Sequence, residues 1–326
     1  MIKPLRLNIL DQMPIPTNLT AETLAIQTTY LVQKAEQWGY ERYWFAEHHG
    51  TKGLISSSPE LWMASMAAKT TTIKLGSGGI LLPQYSSYKV ASQLNQLAVS
   101  FLGRIDGGLG RSPGGTEKIR RALANNKESE LNQFWDKVDD VINWTQNHAY
   151  NGITHSPFPQ TPPDLFVLGL GERSAIQAAE RGLGFVHGYF IQPERFKEAH
   201  LAYQKAFNRQ KFKAPEALTA VFVVCGESDE HAEKLAESQD VWLLQTEKGL
   251  DSRIPAAIPN RLTENDKNRI HLNRNRMIVG SLATVKEKLN RLSEQANSDQ
   301  FLVLCNLYDF NERVRSYERL ANLITS

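Results

Sequence analysis

Eight short apolar stretches, each followed by a helical pattern, recur along the 326 residues and constrain the fold more than any other feature. They are Leu5 to Leu10, 42–46, Ile73 to Leu82, Arg104 to Gly110, Leu165 to Gly169, Gly184 to Phe190, Ala217 to Cys225 and Phe301 to Asn306. Between and after them lie helical patterns. The first runs from a cap at Thr20 through Trp38, and a second opens at Ser58-Pro59 and runs to about Lys69. Others span 88–101, 131–147, 174–182, 193–209, 281–296 and 310–324, by their three-to-four-residue apolar spacing. Regular βα alternation of that count predicts an α/β protein, a single (β/α)8 TIM barrel over 1–326, in preference to a doubly wound sheet. One stretch breaks the rhythm: an insertion at about 229–276, between strand seven and the helix at 281. Its second half, 245–276, is polar and locally basic. Leaving the C-terminal end of a strand, it reads either as a mobile lid on the catalytic face or as an exposed surface excursion.

The second strand runs Tyr43-Trp44-Phe45-Ala46 straight into Glu47-His48-His49. A strand apolar along its body and polar at its C-terminal tip suits a parallel α/β protein, whose covered strands open into a crevice at that end. Adjacent histidines cannot form an HxxxH metal pair and no cysteine joins them, so no metal site is expected. One imidazole turned into the pocket as a proton donor or acceptor is the functional reading, a solvated loop the plain one. Gly76-Ser77-Gly78-Gly79 interrupts the third strand, where glycines let a flat ligand approach the backbone or permit an unusual peptide geometry.

Two further features point to phosphate. Gly103 to Arg111 is glycine-rich and ends in an arginine at a strand tip, placed either to clamp a phosphate or to form a surface salt bridge. Gly169-Leu170-Gly171-Glu172-Arg173-Ser174 follows a strand and opens a helix, whose free amides and dipole make a phosphate cradle. The same run begins a GxGxxG pattern, so a dinucleotide fold has to be weighed. The following strand, through His187, Gly188 and Phe190, lacks the acidic tip that would grip a ribose, which favours a mononucleotide.

Composition narrows the class. Lys plus Arg number 37 against 35 Asp plus Glu, a balance that points to neither nucleic acid nor an anionic membrane. Cys225 and Cys305 both sit in apolar runs and read as buried thiols, not a disulfide framework. With no signal peptide and no apolar run near the length of a membrane span, the expected location is the cytoplasm.

Taken in order, Tyr43–His49 with Ser58-Pro59, Ile73–Pro83, Gly103–Gly114, Ala178–Leu183 and Val279-Gly280-Ser281 resemble the bacterial luciferase-like flavin-dependent monooxygenases over nearly the whole chain. The resemblance implies a TIM barrel that binds FMN at its C-terminal face. It implies His48 as the catalytic histidine, a cis peptide at Gly78–Gly79 under the flavin ring, and Arg111 on the flavin phosphate. Gly169, Leu170, Gly171 and Ser174 fall on the phosphate loop, and Ala46 and Ser77 complete the implied cofactor set. It also implies small-molecule substrate and O2 as reactants, a separate flavin reductase as electron source, and a homodimer. Leu170 stands where the luciferases carry glutamate, and Phe101-Leu102 precede Gly103-Arg104 where relatives often have proline, which argues for a relative that emits no light. The expectation is an FMN-dependent monooxygenase with a dry, closed site beside Trp44 and Phe45. The alternatives are an F420-dependent oxidoreductase, a flavin-binding protein without turnover and, more remotely, a Rossmann dehydrogenase.

Overall fold

The computed structural model describes residues 4–112, 114–127, 130–212, 216–256 and 262–324. Its strands are β1 (Arg6–Asp11), β2 (Arg42–Phe45), β3 (Lys74–Ser77), β4 (Ile80–Leu81), β5 (Ile105–Gly110), a β6/β7 hairpin (Ala149–Tyr150, Ile153–Thr154), β8 (Asp164–Gly169), β9 (Gly184–Gly188), β10 (Ala217–Gly226), β11 (Met277–Ser281) and β12 (Gln300–Leu304). The helices are α1 (Ala21–Gln37), α2 (Pro59–Ala67), α3 (Ser87–Ser100), α4 (Glu117–Leu123), α5 (Phe134–Gln146), α6 (Glu172–Glu180), α7 (Phe196–Ala206), α8 (Asp229–Glu247), α9 (Glu264–Arg274), α10 (Leu282–Ala296) and α11 (Phe310–Ala321).

Eight parallel strands close on themselves in the order β1-β2-β3-β5-β8-β9-β10-β12, with β12 returning to β1 through Arg6↔Gln300 to Ile9↔Val303. This is a (β/α)8 TIM barrel, as the alternation predicts. Side-chain alternation divides the two faces. Trp44 turns inward and meets Phe166 of the non-adjacent β8, centroids 4.9 Å apart, while Phe45 turns outward onto Trp62 of α2.

The N-terminal end of the ring is closed by buried charge. Asp106 is fully buried and accepts from Trp44 Nε1 at 2.9 Å and Arg42 Nε at 3.0 Å, while Arg42 also reaches Glu216 at 3.0 and 3.1 Å. Arg104 donates to the carbonyls of Ala67, Thr70 and Ile73. The two charged residues of the Gly-Arg-Ile-Asp run therefore build the barrel floor, at the end opposite the C-terminal rim.

The structure departs from the periodic pattern in several places. The 73–82 run is two strands, β3 and β4, separated by Gly78-Gly79. Short α4 falls in a polar loop with no buried residue, so it left no apolar signature. The helix expected at 131–147 is regular only from Phe134. At 229–276, α8 follows β10 almost at once; the segment holds two helices, α8 and α9, and is followed directly by a further strand of the sheet, β11, that the pattern missed. Phe222 of β10 carries Leu304 on one edge and Met277 on the other, so β11 extends the edge that β9 occupies lower down. A run as short as Met277-Ile278-Val279 has no periodicity to distinguish strand from helix. Among the described residues no helix is long and apolar enough to cross a membrane.

Candidate active site

Strand register gathers the sequence candidates onto one rim. Phe45 pairs with Ser77, so Ala46 and Gly78 leave neighbouring tips together. Leu81 pairs with Gly110 and Gly110 with Leu168, which sets Arg111 beside the loop that starts at Gly169. All ten residues thus lie at or just beyond the C-terminal ends of β2, β3, β5 and β8.

At the β2 tip the backbone is held hard. Ala46 N donates to Asp11 O at 3.0 Å, Ser56 Oγ donates to Ala46 O at 2.5 Å, and His48 N donates to Ser56 O at 2.8 Å. His48 Nδ1 is buried with no hydrogen-bond partner among the described residues. Burial, and then the neighbouring His49, lower its pKa to about 4, so the imidazole is neutral at neutral pH. A neutral ring with an unmatched nitrogen can take or hold a proton.

Glu47 has a role that spacing did not reveal. Its Oε1 accepts from Tyr85 Oη at 2.5 Å and faces His49 Nε2 at 2.7 Å, and its Oε2 accepts from Leu81 N at 2.8 Å. The carboxylate, 2% exposed, therefore ties the β2 tip to β4. Burial raises its pKa, against the pull of those three donors.

The peptide between Gly78 and Gly79 is cis. A Cβ on Gly79 would stand 2.8 Å from Gly108 O and from Leu168 Cδ1, and one on Gly78 would stand 2.3 Å from Leu10 Cδ1. No side chain fits at either position without a shift, so bare backbone faces the mouth there. Ser77 is buried and its hydroxyl is engaged with Gly108, donating to O at 3.0 Å and accepting from N at 2.9 Å. That hydroxyl holds β3 to β5, leaving only Ser77 backbone for any ligand.

Arg111 is exposed and has no acidic partner among the described residues. On the next tip, a Cβ on Gly169 would lie 2.6 Å from Ser174 Cβ, so glycine there lets the first turn of α6 fold back on the strand. Gly171 is the N-cap of α6 and has no side chain to cap with, which leaves the first-turn amides, Ser174 among them, without a partner from the cap. This donor set of uncapped amides, a serine and an unpaired arginine fits a phosphate.

Trp44 and Phe45, expected beside the mouth, are instead fully buried in the barrel layers. The cover comes from elsewhere. Phe222 of β10 packs on Phe190 and on Trp242 of α8, centroids 5.2 and 6.2 Å apart. Trp242 Nε1 donates to Ser252 O at 2.8 Å, and Gly53 N donates to Ser252 Oγ at 2.9 Å. Ile254 and Thr17 complete the tie, through Ile254 N to Ile15 O and Thr17 N to Ile254 O, both 2.9 Å. Within the expected lid, 245–276, the described residues 248–256 are therefore knitted to the loops after β1 and β2, and α9 lies against α8. Residues 257–261, with Pro259 and Arg261, lie outside the described residues.

The family model for luciferase-like monooxygenases matches residues 9–299. Uncharacterized protein YceB of Bacillus subtilis (strain 168) is 47% identical over 328 residues, 98% of this chain and 99% of its own. The N-acetyl-S-alkylcysteine monooxygenase of the same organism is 33% identical over 335 residues, 98% of each chain. Among solved structures, apo-MsnO8 superposes with a TM-score of 0.89 at 27% identity, covering 98% of both chains. The oxygenating constituent of 3,6-diketocamphane monooxygenase from Pseudomonas putida, in complex with FMN, gives 0.73 at 17% identity, covering 98% of this chain and 97% of that one. An F420-dependent secondary alcohol dehydrogenase gives 0.66 at 13%, covering 99% of both. The last two likenesses concern the fold alone.

Proposed function

The chain belongs to the luciferase-like monooxygenase family, and on that premise we propose that it uses reduced FMN and O2 to oxygenate a small organic substrate. The observation that carries the reading is the gathering of His48, the bare Gly78–Gly79 backbone, Arg111 and the uncapped start of α6 on one rim. Bound reduced flavin supplies the electrons that activate O2; the chain supplies binding, dryness and proton control.

Arg111, Ser174 and the α6 amides hold the phosphate, and the Gly78–Gly79 peptide supports the ring, with Ala46 and Ser77 backbone beside it and Gly169, Leu170 and Gly171 shaping the loop. His48, neutral at neutral pH, accepts or returns a proton at its ring nitrogen next to the ring and substrate. Phe190, Phe222 and Trp242, under the 248–256 loop, exclude water from the mouth. We further propose that 245–276 opens for substrate as a lid, that electrons come from a separate flavin reductase, and that the protein works as a cytoplasmic homodimer. The 33%-identical relative makes an S-substituted N-acetylcysteine the first substrate to test.

The test is a single turnover: protein loaded anaerobically with reduced FMN is mixed with O2 and candidate substrate, and product is read by mass spectrometry. One oxygen atom gained per turnover, lost in His48→Ala, is the expected result. Flavin that binds but reoxidises with no product across the thioether and ketone substrates of the relatives favours a flavin-binding protein instead. Preferential binding of F420 favours the deazaflavin reading, for which the F420-dependent neighbour's fold is the support.

A further inference from the structure

We propose that Arg195 is a second cationic anchor for the cofactor phosphate, and that together with Arg111 it makes the site select a phosphomonoester dianion over a phosphodiester. The proposal rests on the FMN reading above.

Arg195 ends the short helical turn Pro193–Arg195 that follows β9, and it stands at the start of α7. Its side chain lies over the other end of the loop: Nη1 is 3.6 Å and Cδ 3.7 Å from where a Cβ on Gly171 would stand. Among the described residues no other heavy atom outside that glycine's neighbours in the chain comes within 4 Å of that point, so the guanidinium faces the glycine directly.

This is an unfavourable place for an unbalanced cation. Helix N-termini carry partial positive charge, and cations belong at the opposite end. Arg195 sits at two such termini at once, α6 by contact and α7 by sequence, and neither is capped by a side chain. Glu194 and Glu198, nearest in sequence, and Glu172 in the first turn of α6 are all exposed, and none is ion-paired with it among the described residues. Each of the two helix ends carries a first-turn glutamate, Glu172 on α6 and Glu198 on α7, but among the described residues neither pairs with the exposed guanidinium of Arg195. An anion held at the loop would give that guanidinium a partner.

The partner cation comes from the other side. Register places β5 and β9 on either side of β8, with Gly110 against Leu168 and Gly169 against His187. Arg111 follows β5 and Arg195 follows β9, so two unpaired guanidiniums flank the β8 tip. A phosphomonoester offers two negative charges and three terminal oxygens to such a pair, as in FMN. A phosphodiester, as in F420, offers one charge and two free oxygens.

The experiment titrates the full-length protein with FMN, with riboflavin and with F420, for wild type, Arg195→Ala, Arg195→Lys and Arg111→Ala, at low and high salt. Wild type should bind FMN more tightly than F420. Arg195→Ala should weaken FMN about ten-fold, less than a fully buried charged bond would give. It should leave riboflavin unchanged and flatten the salt dependence, with Arg195→Lys in between. Arg195→Ala leaving FMN affinity unchanged while Arg111→Ala weakens it would overturn the proposal and spare the FMN reading. Equal losses for FMN and riboflavin would overturn it as well, since they would mark a structural role for the turn. Wild type that prefers F420, or binds no FMN, would overturn both.

Discussion

Replacing Glu47 by glutamine changes one atom, and its cost can be worked from the geometry. The carboxylate accepts at both oxygens, from Tyr85 Oη and His49 Nε2 on one side and from Leu81 N on the other. An amide can accept on one side only. If the oxygen keeps Tyr85 and His49, its NH2 group faces the Leu81 N–H, and a buried backbone donor loses its partner. A lost bond to a charged group costs about 1.5–3 kcal/mol. Part of that is offset, because the buried carboxylate already pays for desolvation, as its raised pKa records. A net loss of about 1–2 kcal/mol follows. With an unfolding entropy of about 2.1 cal/mol/K per residue, 2 kcal/mol lowers Tm by about 3 °C in a chain of 326 residues. Because β4 follows the Gly78–Gly79 peptide directly, FMN affinity should fall with it. Calorimetry and flavin titration on the variant read the two effects. A Tm and an FMN affinity both equal to wild type would refute the claim that Glu47 ties the β2 tip to β4.

Three further outcomes follow from the packing. His187 and His200 are buried with pKa values lowered to about 4 and about 3, chiefly by burial, so the unfolded chain binds protons that the folded one refuses. Stability should therefore fall as pH drops through 6.5, by about 1.4 kcal/mol per histidine between pH 7.5 and 5.5; denaturant titrations of His200→Gln should show about half of this pair's slope, and an unchanged slope would contradict it. Gly79→Ala should cost about 1–3 kcal/mol in urea unfolding, because its methyl would meet backbone Gly108 O at 2.8 Å; a neutral substitution would mean that β3 and β5 approach less closely there. Trp242→Phe removes the bond to Ser252 O and should speed limited proteolysis within 248–256, whereas equal cleavage rates would show that the bond does not hold that loop.

The barrel was legible because eight strands and their helices carry simple periodicities over most of the chain. The rim candidates were legible for a related reason: in a parallel barrel, whatever follows a strand lies at the C-terminal face, so His48, Gly78–Gly79, Arg111 and the Gly169–Ser174 loop could be placed from local sequence. What escaped depended on contacts between distant segments. Glu47 meets Tyr85 and Leu81 from more than thirty positions away, and Arg195 reaches Gly171 from a different βα unit. No spacing rule links such pairs. The Gly-Arg-Ile-Asp run is conspicuous for the opposite reason: buried Asp106 and half-buried Arg104 hold the fold together at the N-terminal end of the barrel, away from the C-terminal rim. Aromatic residues before a polar tip suggest a lining, which places Trp44 and Phe45 at the mouth on sequence grounds. Their alternation sends one into the core and the other under α2, and the cover includes Trp242, on helix α8, whose pattern in the sequence merges with the 229–276 insertion.

The most direct measurement is a crystal structure of the protein soaked with FMN. The account predicts one flavin per chain, its ring against the Gly78–Gly79 peptide and within reach of His48, and its phosphate between Arg111 and the first turn of α6 at Ser174. Flavin bound elsewhere, or a phosphate held away from both Arg111 and Ser174, would contradict it.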